Sequence, residues 1–249
     1  MNYEVEGVTP YNKEDKKQEQ IIQLFDSLAP GYDKLNGLLS LGVNSYWRKD
    51  SMKELKKYNP KTVIDIATGT GDFALLAYKV LQPEKVVASD ISEGMMEVGK
   101  KKVAEAGLED IISFEVQDSA QISYDDNTFD AATISFGVRN FEDIDKSFRE
   151  ILRILKPGGV FLFVELTTPE QNPMKKLYAT YTKYVMPRLA NVLKTEQQAY
   201  DYLPESIAAF PQGKEMMLIL KKNGFINIRL RRFTLGVATV YIAEKPLSK

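Results

Sequence analysis

Neither histidine nor cysteine occurs anywhere in the chain. The commonest general base is therefore missing, as are thiolate nucleophiles, thiolate metal sites and disulfides. Any proton transfer falls to carboxylate, tyrosine, lysine or an oriented water. Against that background, the residues that invite chemistry are acids, glycines and hydroxyls. Gly69, Thr70 and Gly71 make a glycine turn followed directly by Asp72, and Asp90 closes the next apolar run. Asp118-Ser119 and Ser135 end two further apolar runs, with Arg139-Asn140 just beyond.

Gly69 and Gly71 let the backbone turn tightly and let a ligand approach where a side chain would block it. An acid at the end of the second strand, facing that turn, clamps two ribose hydroxyls, and Asp90 has that position. The geometry suits a dinucleotide or S-adenosylmethionine. A dinucleotide turn reads G-x-G-x-x-G/A and seats a pyrophosphate on a helix N-terminus. Ala74 satisfies the last position, so spacing alone leaves NAD open. Asp72, however, puts a carboxylate in the first helical turn, where it repels a diphosphate but can face an ammonium or sulfonium.

The elements that must hold these residues alternate along the chain. Thr62 to Ile66 (TVIDI) reads as a buried parallel strand, with a helix after Gly71. A second strand covers Val86 to Asp90, and Ser92 caps a helix running to Gly107. Strands over 111–116, 131–135 and 161–166 follow, the last two separated by a helix over 142–155 and the KPGG turn at 156–159. Strand–helix alternation at this pace predicts a doubly wound sheet with right-handed crossovers and ligands outside the carboxyl ends of its strands. Gly69–Asp72, Asp90, Asp118–Ser119 and Ser135–Asn140 then share one crevice.

The flanks differ. Residues 1–19 are polar and read as poorly ordered. A helix over Gln20–Leu28 ends at Pro30-Gly31, a leucine-studded loop follows, and a helix from Ser45 closes at Pro60. This prelude is positioned as a lid. Met174 to Leu193 is amphipathic, with Leu177, Tyr181, Val185 and Leu189 on one face and Lys175, Lys176, Lys183 and Arg188 flanking it. That pattern fits a membrane surface or a helix packed on the core. Shorter helices over Glu196–Phe210, broken at Pro204, and Gln212–Asn223 precede two strands, 226–233 and 237–243, that form a hairpin on the sheet edge. Net charge is −1, which argues against broad nucleic-acid binding, and no apolar run approaches the ~20 residues of a membrane span. The chain reads as cytoplasmic.

Together, YDKLNGLLSLGVNSYWRK, ISFGVRNFED, RILKPGG, VMPRLANVL and DYLPESIAAFP, with the glycine turn, resemble the ubiquinone/menaquinone biosynthesis C-methyltransferase family. Its demethylmenaquinone methyltransferases are the nearest pattern. The resemblance covers the chain from about Phe25 onward. It implies a Rossmann-like class I methyltransferase fold: a seven-stranded, mostly parallel sheet with helices on both faces and a C-terminal antiparallel hairpin. It also implies a helical lid over 1–60 on a methyltransferase domain over 61–249. S-adenosylmethionine is then the cofactor. Asp90 holds its ribose, Asp118 accepts from the adenine amino group with Ser119 beside it, and Ser135 completes the contact set. Thr70 and the Gly69 and Gly71 backbone line the methionine part. The family commonly has a histidine where Asn44 stands and another near the C-terminus, and this chain has neither.

The implied reaction is methylation of a ring carbon on a reduced polyprenyl naphthoquinol; the same chemistry on a benzoquinol is the nearest rival. Arg139 and Asn140 are expected to orient a water or stabilise the naphtholate, unless Arg139 merely pairs with a helix acid such as Asp143. Tyr32 and Asp33, in the lid, would complete the proton path or anchor the turn. Expected partners are the polyprenyl quinol, a membrane surface touched peripherally at its inner face, and a second copy of the chain in a homodimer. Rivals of other kinds are a dinucleotide dehydrogenase, a nucleic-acid methyltransferase and a non-catalytic cofactor-binding scaffold.

Overall fold

The computed structural model describes residues 3–185 and 197–247. Seven strands form one sheet: β1 (Thr62–Ile66), β2 (Lys85–Asp90), β3 (Ile112–Val116), β4 (Phe129–Ser135), β5 (Leu155–Leu166), β6 (Ile226–Phe233) and β7 (Ala238–Glu244). Their order is β3-β2-β1-β4-β5-β7-β6. β7 runs antiparallel to β5 and β6, and the remaining pairs are parallel. The seven-stranded, mostly parallel sheet and its C-terminal hairpin are those expected from the sequence, and the strand order places the switch point between β1 and β4.

β1 shows why the strands are continuously apolar. Ile64 and Ile66 pack on one side with α6 (Ile144–Ile154) and α9 (Lys214–Lys222), around a ring cluster of Phe148, Phe161, Phe163 and Phe225. Val63, one residue along, faces the other side with α3 (Val43–Lys53), α4 (Asp72–Leu81) and α5 (Glu93–Glu105). A period-two side-chain alternation between two helix layers leaves no solvated face. Ser92 caps α5 as expected, its hydroxyl accepting from Met95 N–H at 3.2 Å.

A third apolar cluster lies over the carboxyl ends of the strands. It joins α1 (Lys17–Leu28) through Ile21, Leu24 and Leu28 to Leu35 of α2 (Tyr32–Leu39) and to Tyr200 and Tyr202 of α8 (Gln197–Ala209). This layer is where local sequence reading departs from the structure. Residues 3–16 are not loose: Glu4–Gly7 forms a turn whose Val5 is wholly buried, and Glu6 accepts from Ile144 N–H at 3.0 Å. Residues 32–44, expected to be loop, are helical as α2 and the first residues of α3, because Leu35 finds buried partners; the helix expected from Ser45 is α3, with Trp47 and Met52 buried. Asn44 bridges those helices through the Asn36 carbonyl rather than entering the ligand crevice.

Two smaller differences share one cause, tertiary pairing overriding a local breaker. Lys156–Gly159 is a bulge within β5, with Phe129 opposite Leu155 and Ala131 opposite Val160, not a turn ahead of it. α8 runs through Pro204 because buried Tyr200, Tyr202 and Ile207 hold it on both sides. The 174–193 stretch is an α-helix, α7 (Met174–Thr180), followed by a wider π turn over Tyr181–Val185; Arg188, Leu189 and Leu193 lie outside the described residues. Leu177 of this face is 62% exposed, while Tyr181 is partly buried.

Candidate active site

The crevice outside β1 and β4 holds a cavity of about 880 Å³, within the ~300–1,000 Å³ usual for small-molecule sites. Its floor is made of strand ends forced close together. Ala67 (φ 52°), Gly69 (φ 56°) and Phe136 (φ 61°) all turn in the left-handed region there. Gly137 permits the approach of β1 and β4, since a Cβ on it would lie 2.7 Å from that of Ala67. Backbone held this way clusters at ligand sites.

Asp90 ends β2 beside this floor with both oxygens anchored. Oδ2 accepts from Gly69 N–H at 2.7 Å and Oδ1 from Ser92 N–H at 3.0 Å. Burial raises its pKa, and those backbone donors work in the opposite direction by favouring the carboxylate. Two carboxylate oxygens offer about four acceptor sites, so the backbone donors leave capacity for a ligand hydroxyl. Asp118 and Ser119 face the same space, fixed by Ala120 N–H on Asp118 Oδ1 at 2.8 Å and by Ser147 Oγ at 2.9 Å from Ser119 Oγ. Ser135 accepts from Arg48 Nε at 2.9 Å. Gly69, Asp90, Asp118, Ser119 and Ser135 therefore line one cavity, with Tyr32 and Asn140. The donor set suits a nucleoside: an anchored acid for vicinal hydroxyls, a second acid for an exocyclic amine, and a side-chain-free turn at Gly69, where a Cβ would press to 3.1 Å from Met95 Cε.

Four other predicted residues are not in the cavity wall. Gly71 instead begins α4 in the left-handed conformation (φ 75°). Thr70 and Asp33 belong to a charged cluster behind the turn. The Thr70 hydroxyl donates to Asp33 Oδ1 at 2.7 Å, and Lys102 binds Thr70, Asp33 and Asp72. Asp72 also pairs with Arg48 at 3.1 Å. Its carboxylate is thus neutralised by two cations and does not confront a ligand, which corrects the expectation drawn from its place in the first helical turn. The cluster ties α2, α3 and α5 to the ligand turn.

Arg139 is buried beneath the cavity and pairs with Glu165 of β5 at 2.7 Å, not with Asp143, which caps α6. Its Nη1 also donates to the Phe136 carbonyl at 2.5 Å, while Nε has no hydrogen-bond partner among the described residues. Burial opposes its charge, but the Glu165 carboxylate outweighs that and holds its pKa above the usual arginine value. The side chain of Asn140, next in sequence, accepts from Tyr202 Oη at 2.9 Å.

Three ionisable groups escaped the local reading. Glu165 and Asp65 were visible as lone acids in apolar strands, FLFVEL and TVIDI. Lys17, buried against the cavity from a polar run, gave no signal at all. Asp65 lies under the glycine turn, accepting from the Thr68 and Thr133 hydroxyls at 2.6 Å each. Burial pushes its pKa up to about 6, with the two threonines opposing the rise. A carboxyl raised in the folded state binds its proton more tightly there than when unfolded, so stability falls as pH climbs between about 4 and 6. The penalty, complete by neutral pH, is of order 3 kcal/mol. Asp65→Asn escapes it. Urea unfolding should show the variant gaining on the parent by up to ~3 kcal/mol between pH 4 and pH 7.5; parallel stability curves would refute the buried charge.

Sheet order, switch-point cavity and anchored strand-end acid define a Rossmann-like class I methyltransferase fold. A solved SAM-dependent methyltransferase from Aquifex aeolicus superposes with a TM-score of 0.56 at 20% identity, over 78% of this chain and 89% of that one. At the level of sequence, the model of the ubiE/COQ5 methyltransferase family matches residues 13–245, and the chain belongs to that family. A demethylmenaquinone methyltransferase from Bacteroides fragilis is 48% identical over 245 residues, spanning 98% of this chain and 100% of that protein. A ubiquinone/menaquinone biosynthesis C-methyltransferase from Geobacter sulfurreducens is 38% identical, spanning 93% and 91%.

Proposed function

We propose that this enzyme methylates a ring carbon of a polyprenyl naphthoquinol in menaquinone biosynthesis, with S-adenosylmethionine as methyl donor. The observation that carries the reading is the convergence of Gly69, Asp90, Asp118, Ser119 and Ser135 on one cavity that continues past Tyr32 and Asn140. When bound, S-adenosylmethionine supplies a methyl group made electrophilic by its sulfonium. The chain's part is position and electrostatics. Asp90 holds the ribose diol, Asp118 and Ser119 the adenine edge, and the Gly69 backbone the methionine arm. Asn140 and Tyr32 orient the quinol ring. Arg139 fixes the Asn140 turn from below through Glu165. Thr70, Gly71 and Asp33 act at one remove, joining the ligand turn to a helical lid over residues 1–60.

The isoprenoid tail requires an apolar exit and a supply from the bilayer. Among the described residues no helix is long and apolar enough to cross a membrane. Leu38, Leu41, Val43 and Tyr46 are exposed on the helical layer, and Tyr181, in the turn after α7, donates to the Leu39 carbonyl at 2.6 Å. This surface, with Leu177, supports peripheral contact with the membrane face. Liposome flotation should recover the protein with anionic vesicles, and Leu41→Asp together with Tyr46→Asp should abolish recovery; no flotation of the parent would remove the contact. Analytical ultracentrifugation decides whether a second copy associates.

The reaction is tested with methyl-labelled S-adenosylmethionine and reduced demethylmenaquinol, counting label in the lipid extract. Label that depends on quinone reduction is the expected result. Label only with a demethylated benzoquinol would move the enzyme to the ubiquinone branch. No lipid label with either quinol, despite cofactor binding, would sink the substrate class.

A further inference from the structure

Lys17 is a buried lysine at the wall of this cavity. It opens α1 with 3% of its surface exposed, yet it lines the cavity with Tyr32 and Asn140. Its Nζ donates to the Val5 carbonyl at 2.6 Å and to the Arg139 carbonyl at 3.0 Å. An ammonium has three protons to donate and an amine two protons plus a lone pair. Two carbonyls therefore satisfy the neutral amine's donors and leave its lone pair free, whereas the ammonium is left with one proton unplaced. The charges around it are Glu6 from the N-terminal turn, Glu142 ahead of α6, and Arg139. Burial lowers its pKa to about 7, with Glu6 resisting and Arg139 reinforcing. In a chain without histidine, this is a group that changes charge near neutrality inside the ligand cavity.

We propose that Lys17 is the general base that ionises the quinol hydroxyl. The inference rests on the naphthoquinol reading above. The hydroxyl proton passes to the Nζ lone pair, and the O–H electron pair becomes the naphtholate. That charge feeds the ortho ring carbon, which forms a bond to the transferred methyl while the C–S bond breaks with its pair remaining on sulfur. The methylated carbon then loses its proton to water, which restores the aromatic ring as naphtholate. The naphtholate oxygen recovers the proton from the Lys17 ammonium. The net change is one C–C bond formed, one C–S bond broken and one proton released, with the lysine returned to the amine.

A strut that merely ties two turns together would bind the same two carbonyls, so the test must separate the roles. Arginine donates to both carbonyls but cannot accept a proton near neutral pH. Lys17→Arg and Lys17→Ala should each lose about 100-fold or more in kcat, the usual range for general-base catalysis. S-adenosylhomocysteine affinity should stay within about twofold, because Asp90 and Asp118 hold that ligand. The parent's kcat should rise with pH through about 7, and ethylamine should restore part of the Lys17→Ala rate. Independently of activity, ¹³Cε NMR of lysine-labelled parent protein, assigned with Lys17→Arg, should titrate near pH 7. Full activity in Lys17→Arg, or a Lys17 midpoint near 10, would overturn the proposal. If the parent transfers no label to any quinol while Lys17 still titrates near 7, the substrate reading fails and not the lysine's basicity.

Discussion

Asp90→Asn binds S-adenosylmethionine at least about 100-fold more weakly in a calorimetric titration. The native carboxylate accepts from Gly69 and Ser92 N–H on its two oxygens. An asparagine must turn its amide N–H toward one of those donors, leaving two donors face to face. It also offers the ribose one acceptor where the carboxylate offers two, and lacks the charge that strengthens such bonds. A hydrogen bond to a charged acceptor is worth ~1.5–3 kcal/mol, so losing one and weakening another reaches the stated factor. Near-UV circular dichroism checks that the fold survives. Unchanged affinity in a folded variant would mean that the cofactor lies elsewhere.

Arg139→Met destabilises the chain by about 3–5 kcal/mol, the range for a buried charge stripped of its partner. Glu165 is wholly buried, and among the described residues its carboxylate accepts, besides the Arg139 guanidinium, from the backbone N–H groups of residues 139 and 166. For a chain of this size the loss corresponds to a fall in Tm of roughly 6–20 °C. Arg139→Met combined with Glu165→Leu removes both charges and should recover most of that stability, since an apolar pair of similar volume often replaces a buried ion pair without loss. Scanning calorimetry of the two variants measures the difference. Equal Tm values for Arg139→Met and the parent would show that the pair contributes nothing to the fold.

The central sheet was legible because each of its strands is self-describing. TVIDI, Lys85–Asp90 and FLFVEL carry apolar residues on both faces, which only a sheet covered by helices on both sides can use. The acids and serines at their carboxyl ends were legible for the same reason: fixing the strand fixes its last residue. Gly69, Asp90, Asp118, Ser119 and Ser135 therefore fell into one cavity as expected. Thr70, Asp72 and Asp33 were misjudged in direction, because their orientation depends on Arg48 and Lys102, cations from other elements.

The helical layer over the site was the least legible part. Its helices carry glycine and asparagine, and their stability comes from burying Leu35, Trp47 and Tyr202 against distant segments. The 1–19 stretch looked solvated because its anchors are single residues, Val5, Glu6 and Lys17, whose partners lie more than a hundred positions away in the case of Ile144 and Arg139. What the sequence determined alone was the order of strands and helices, the glycine turn and the acids that follow it, since these depend on local periodicity and backbone freedom. Only the tertiary structure decided which charged groups are buried, because a side chain's protonation and partners are set by the low-dielectric surroundings that distant segments assemble around it.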